Sequence, residues 1–205
     1  NKLNIFIINN GSQYLENIVL KISKDHTYSI YDYVPNKKIF VPKNTDLIIL
    51  SGGMKQEVVD ELNGRHYYEQ EFELIRNSKV PIFGICLGLQ MMAYAMGGSL
   101  KKLNNLQHKN IPVKLNHIGH EILGHGDLFV HERHAWVVDE LDGTGFSVLA
   151  ESDDGVEIIH HKHKNLFATQ FHPEIDVNKH SETNFWRLID RFLIKSKDRV
   201  VYEEE

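Results

Sequence analysis

The chain of 205 residues has one cysteine, Cys86, so no internal disulfide can form and the small disulfide-stapled folds are excluded. No apolar run reaches the roughly 20 residues that a spanning helix needs. Asn1 to Ile8 lacks the basic head and small-residue cleavage site of a signal peptide. There is no basic excess either: the formal net charge of -5 argues against non-specific binding to nucleic acid or to an anionic membrane. Internal repeats, a separating linker and a phosphate-cradling G-x-x-x-x-G-K-[ST] loop are all missing. These absences lead us to expect a cytoplasmic protein in a reducing compartment. They also point to one domain over residues 1–195 and a charged tail over 196–205, with no cofactor and no metal.

What is present alternates between strand and helix signals. Leu3 to Ile8 is a nearly continuous apolar run, the mark of a strand covered on both faces. Ser12 is placed to cap a helix from Gln13 that carries Tyr14, Ile18 and Ile22 on one side. Tyr28 to Val34, Asp46 to Leu50 and Val80 to Phe83 read as further strands, with a helix over about Tyr67 to Asn77. This order predicts an α/β fold with a mostly parallel central sheet flanked by helices. After Gly97-Gly98 the pattern changes to short strands separated by Gly, Asn and Asp turns. Val113–Leu115, Phe129–Val130, Phe146–Leu149, Val156–Ile159 and Leu166–Phe171 predict a smaller antiparallel β portion in the C-terminal half. Phe185, Leu188, Ile189, Phe192 and Leu193 form the buried stripe of a last helix.

Ligands of parallel sheets collect at the carboxyl ends of the strands, and two glycine turns fall there, Ser51-Gly52-Gly53 and Gly84-Ile85-Cys86. Cys86 stands in a G-x-C-x-G frame between an apolar run and the helix-forming run Gln90 to Met96. A strand that breaks abruptly into a helix presents the intervening side chain above the sheet, and the crowding there favours flanking glycines. The helix N-terminus would also favour a thiolate. By itself the motif fits a small buried hydrophobe as well as a nucleophile. A nucleophile needs a base and an orienting group. His172-Pro173-Glu174, directly after the strand Leu166 to Phe171, offers both.

Taken together, Ser51-Gly52-Gly53, Gly84 to Gln90 and Ala168 to Glu174 resemble the class I (triad) glutamine amidotransferases, over about Leu3 to Phe192. Asn10 to Tyr14 and Glu151 to Glu157 look most like the amidotransferase part of GMP synthases. The resemblance implies a flavodoxin-like fold and hydrolysis of L-glutamine to glutamate and ammonia through a γ-glutamyl thioester. Cys86 would be the nucleophile, His172 the base and Glu174 its orienter. Backbone N–H groups of Gly53 and Leu87 would hold the oxyanion, and Gly52, Gln90, Arg133 and His134 would contact the substrate. It further implies a separate ATP-dependent synthetase subunit that receives the ammonia, with XMP as the acceptor most in keeping with the GMP synthase likeness. A stand-alone γ-glutamyl hydrolase, the amidotransferase subunit of a chorismate-using synthase and a non-catalytic regulatory module of the same fold are the alternatives. The chain departs from the family at Met54, where proline is usual, at Arg133, where serine is common, and at Trp136, in place of an acidic residue.

Histidine is abundant. His117, His120, His125, His131 and His134 fall close together, and His120-Glu121 followed by His125 approximates H-E-x-x-H. The spacing is one residue too long for both rings to share a helix face, so solvated loop histidines are expected. His160-His161-Lys162-His163 reads as an exposed turn.

Overall fold

Apolar runs build the centre of the protein. In the computed structural model, which describes residues 1–124, 126–181 and 184–204 (side chains to 198), strands β1 (Asn4–Asn9), β3 (Leu47–Leu50), β6 (Ile82–Ile85) and β11 (Leu166–Thr169) lie side by side. All but the ends of β1 are buried. They run parallel to one another, and β2 (Thr27–Asp32) adds a parallel edge beside β1. The sheet continues antiparallel through β10 (Gly155–His161), β9 (Phe146–Ser152), β7 (Ser99–Leu115) and β8 (Leu128–Glu140). The full order is β2-β1-β3-β6-β11-β10-β9-β7-β8, nine strands. A separate two-stranded hairpin, β4 (Glu61–Leu62) and β5 (Arg65–His66), sits in the polar stretch before the second helix.

Helices cover both faces. On one face α1 (Leu15–Ile22), α4 (His117–Leu123) and α5 (Asn184–Glu204) close over Ile18, Ile22, Leu123, Phe185, Leu188, Ile189 and Phe192. On the other, α2 (Glu69–Asn77) and α3 (Leu87–Ala95) bury Phe72, Ile75, Leu89, Met91 and Met92. Of the α5 stripe foreseen from its spacing, Phe185, Leu188, Ile189 and Phe192 are buried, each worth about 1.5–3 kcal/mol, and Leu193 is partly buried. The helix runs on past residue 195, so the boundary placed there does not coincide with the end of an element. Among the described residues, no helix is long and apolar enough to cross a membrane.

In the C-terminal half, three expectations change. The short strands at Val113–Leu115 and Phe129–Val130 are parts of the long β7–β8 ribbon. Its exposed alternate positions are held by cross-strand pairing, so apolar content under-reports its length. A helix does form around His120: Asn116 accepts from the Gly119 N–H at 2.8 Å to start α4, and Gly124, at φ 85°, ends it. His117 and His120 are exposed there, whereas His134 is buried and His131 half-buried on β8; His125 lies outside the described residues. His160 and His161 are buried at the end of β10, not in an exposed turn. The His161 Nδ1 accepts the His163 and Lys164 N–H groups at 3.0 and 2.8 Å, which leaves Nε2 to donate to the Thr144 carbonyl at 3.0 Å.

The β6–α3 turn is tightly packed against backbone. A Cβ on Gly84 would sit 2.8 Å from the Gly88 carbonyl carbon, and one on Gly88 would sit 2.9 Å from the Leu50 carbonyl oxygen. Backbone cannot retreat as a flexible side chain can. Gly88→Ala is therefore expected to cost about 1–3 kcal/mol by overpacking, read as a fall of several degrees in the unfolding midpoint, with the far-UV spectrum unchanged. An unchanged midpoint would mean that α3 can slide away from β3.

Candidate active site

Cys86 occupies the break between β6 and α3 at φ 54° and ψ -99°, a left-handed conformation that a side-chain-bearing residue adopts at a cost of about 1–3 kcal/mol. Its N–H is tied to the Thr169 carbonyl at 2.8 Å, and its own carbonyl accepts from Leu89 and Gln90 at 3.0 and 3.3 Å. The thiol is 5% exposed. It donates to the Arg133 carbonyl at 3.4 Å and accepts from Gln170 Nε2 at 3.6 Å. Leu87 opens α3, so its N–H has no intrahelical acceptor, and the residue lines the site.

The neighbouring strand β11 delivers His172. Its N–H bonds the His131 carbonyl of β8 at 2.9 Å, and its Nδ1 lies 3.2 Å from Glu174 Oε2. Burial works to lower the His172 pKa; Glu174 and then Cys86 outweigh it and hold the ring well above the usual histidine range. The ring edge-packs against Tyr14, centroids 4.9 Å apart. Asn110 Oδ1 accepts from His131 Nδ1 at 2.8 Å, so His131 Nε2 accepts from the Tyr14 hydroxyl at 2.9 Å. Burial, then His172, lowers the His131 pKa to about 4, which keeps that ring neutral.

Two glycines make the meeting possible. A Cβ on Gly52 would lie 3.1 Å from His172 Cε1 and 3.6 Å from Cys86 Cβ, between the two side chains. A Cβ on Gly53 would lie 2.1 Å from the Asn10 carbonyl oxygen. Asn10 is a residue whose weight the sequence did not reveal: it clamps Ser51 through two hydrogen bonds, at 2.8 and 3.1 Å, and reaches Glu71 Oε1 at 3.0 Å. Met54 follows, half-exposed, at the rim.

Cys86 opens onto two adjoining clefts that share Gly53, Met54 and Arg133. One holds His172 with the Gly11–Tyr14 loop. The other holds Leu87, Gln90 and the β8 segment from Arg133 to Trp136. Gln90 Nε2 donates to the Trp136 carbonyl at 3.0 Å and to Gln170 Oε1 at 3.3 Å, which fixes that wall. The sequence-derived residues Gly52, Gly53, Cys86, Leu87, Gln90, Arg133, His172 and Glu174 thus come together. The backbone of His134 joins them, while its side chain turns away into a buried group with Glu132, Asp154 and Glu157. Burial, with Glu132 alongside, pushes Glu157 up to about 10.

The architecture is that of an α/β protein with thiol, imidazole and carboxylate gathered at the carboxyl edge of a parallel sheet. The profile of the family described as "Glutamine amidotransferase class-I" matches residues 6–191, and the chain belongs to that family. A subunit of the glutamine-hydrolysing GMP synthase of Methanococcus maripaludis strain C7 is 32% identical over 197 residues, covering 87% of this chain and 91% of the relative. The corresponding subunit of Methanococcus aeolicus is 34% identical over 183 residues, covering 83% and 88%. A Thermoplasma acidophilum structure, ascribed to the same GMP synthase subunit, superposes with a TM-score of 0.75, covering 100% of this chain and 99% of that one; at 23% identity the likeness is one of fold.

Glu71 generates a pH prediction. Burial raises its pKa from the usual 4.5 to about 8, partly offset by the Asn10 hydrogen bond. The folded chain then keeps a proton that the unfolded chain releases, so stability falls as pH rises from 4.5 to about 8 and levels off above. Glu71→Gln retains an acceptor for Asn10 without the charge. Its unfolding midpoint is expected to change less than wild type across that interval and to exceed wild type at pH 8.5. Parallel pH profiles for the two chains would rule this out.

Proposed function

We propose that the chain hydrolyses the side-chain amide of L-glutamine, with Cys86 as nucleophile, His172 as proton carrier and Glu174 as the group that orients His172. The observation that carries this reading is the convergence of Cys86 and His172 across Gly52, at the ends of two hydrogen-bonded parallel strands. Glutamine enters the cleft bounded by Gln90, Arg133 and the His134 backbone, with Gly52 allowing its amide to approach the thiol. The thiolate attacks the amide carbon, and the resulting oxyanion takes hydrogen bonds from the N–H groups of Leu87 and Gly53. As the C–N bond breaks, His172 gives its proton to the departing ammonia, leaving a γ-glutamyl thioester on Cys86. Water then attacks the thioester while His172 accepts its proton, and glutamate leaves with the thiol restored. Glu174 keeps the ring aligned and favours its protonated form, the state from which the leaving group is served.

The ammonia passes to a separate ATP-dependent synthetase subunit. The Methanococcus relatives, named as subunits of GMP synthase, support XMP as the acceptor and GMP as the product. A reactive thiol suits the reducing cytoplasm. Residues 1–195 form the amidotransferase unit, and 196–205 continue from it.

Glutamate release from L-glutamine, measured with and without the synthetase, tests the scheme. Cys86→Ala is expected to abolish release, and Glu174→Gln to lower kcat by about 10²–10⁴-fold with little change in KM. Wild-type turnover in Cys86→Ala would sink the reading. Full activity without the synthetase, together with cleavage of γ-glutamyl peptides, would move the assignment to a stand-alone hydrolase.

A further inference from the structure

On the side of β8 turned away from Cys86, four side chains converge. Along that strand Glu132 and His134 alternate with His131 and Arg133, so one pair faces inward while the other borders the site. Asp154 comes from the β9–β10 turn and Glu157 from β10. One donor atom from each of the four lies within 4.8 Å of the others. Glu132 and Glu157 are fully buried, and His134 is 2% exposed.

Buried carboxylates require partners, because their lost hydration costs several kcal/mol per ion. Here both oxygens of Glu132, Asp154 Oδ2 and Glu157 Oε1 have no aligned hydrogen-bond partner, and Glu132 and Glu157 lie close enough to share a proton between them. The partners that do exist satisfy only part of the group: Ser152 Oγ donates to Glu157 Oε2 at 2.6 Å, and Lys109 Nζ reaches Asp154 Oδ1 at 3.0 Å. The imidazole makes the deficit sharper. His134 Nδ1 faces the Trp136 carbonyl at 3.1 Å and so carries a proton. In the neutral ring Nε2 is then a lone pair, directed at Glu132 Oε2 only 3.0 Å away without an aligned hydrogen bond. An Nδ1–H donated to a backbone carbonyl is the contact that orients metal-binding histidines.

We propose that Glu132, His134, Asp154 and Glu157 form a binding site for a divalent transition-metal ion, Zn²⁺ foremost, that ties β8 to β10 behind the Cys86 cleft. One imidazole nitrogen with three carboxylate oxygens suits four-coordinate zinc, whereas Mg²⁺ and Ca²⁺ favour oxygen-only sets. Tetrahedral zinc–ligand distances of about 2.0–2.2 Å require donors roughly 3.4 Å apart, within reach of the present set by small side-chain movements. The ion would be structural, fixing the stretch whose Arg133 carbonyl holds the thiol. The ligands stand at i and i+2 on a strand and on the next hairpin, which is why no helical metal motif announced them.

The test uses the full chain carrying Cys86→Ser, so that the thiol cannot bind zinc, produced without a histidine tag and stripped with EDTA. Titration with ZnCl₂, followed by calorimetry and elemental analysis, is expected to give one zinc per chain. The unfolding midpoint should rise by about 5–10 °C at a hundredfold excess over Kd. Adding Glu132→Gln with Glu157→Gln should remove both effects, while His117→Ala with His120→Ala, exposed on α4, should keep them. Failure of the parent chain to take up zinc, or uptake undiminished in the glutamine variant, overturns the proposal and leaves a cluster that shares protons instead. Absence of a zinc-dependent midpoint shift in the parent needs no variant, so it overturns the proposal even if the glutamine variant does not fold.

Discussion

The parallel pairing of β6 with β11 is the constraint on which the site depends. In that register Thr169 stands beside Ile85, and the Thr169 carbonyl takes the N–H of Cys86. β6 therefore ends where the thiol begins, and His172 follows three residues after the end of β11. Neither side chain is long, so no rotamer adjustment could bring them together across a shifted ladder. The glycines at 84 and 88 then let α3 close against β3 tightly enough to hold Cys86 in its left-handed turn. Local strain at one residue is maintained by ladder hydrogen bonds and close backbone packing around it.

Around this pair, burial and charge are arranged with opposite outcomes. His172 and His131 are neighbours, the first buried and the second half-buried. Glu174 faces His172 and favours its charged form, whereas Asn110 and Tyr14 satisfy a neutral His131. Two adjacent imidazoles are thus set to different protonation states by what faces each nitrogen, and only one retains a proton to give.

The parallel half of the fold was legible because its strands are written as continuous apolar runs, such as Leu47 to Leu50, and its helices as stripes such as Phe185 to Phe192. Strand β7 of the β7–β8 ribbon was not: its lysines, asparagines and glutamine pair with β8 while mostly exposed, and such a segment has the composition of a loop. His160 and His161 read as exposed for a related reason, since polarity suggests exposure unless the buried partners are known. Cys86, His172 and Glu174 were legible because each sits in a short local motif. Asn10 with Glu71, the chain Asn110–His131–Tyr14, and the group around Glu132 are assembled from residues far apart in sequence, and no local pattern encodes them.

The hydrogen bonds from β8 into the site have a geometric consequence. The His131 carbonyl holds the His172 backbone, and the Arg133 carbonyl holds the Cys86 thiol. These two carbonyls are two residues apart on one extended strand, so they point the same way at a separation of roughly 7 Å. The strand acts as a ruler laid along the reacting pair, with adjacent graduations assigned to base and nucleophile. A slip of one residue in its register would not loosen one contact and spare the other; it would misplace both marks at once.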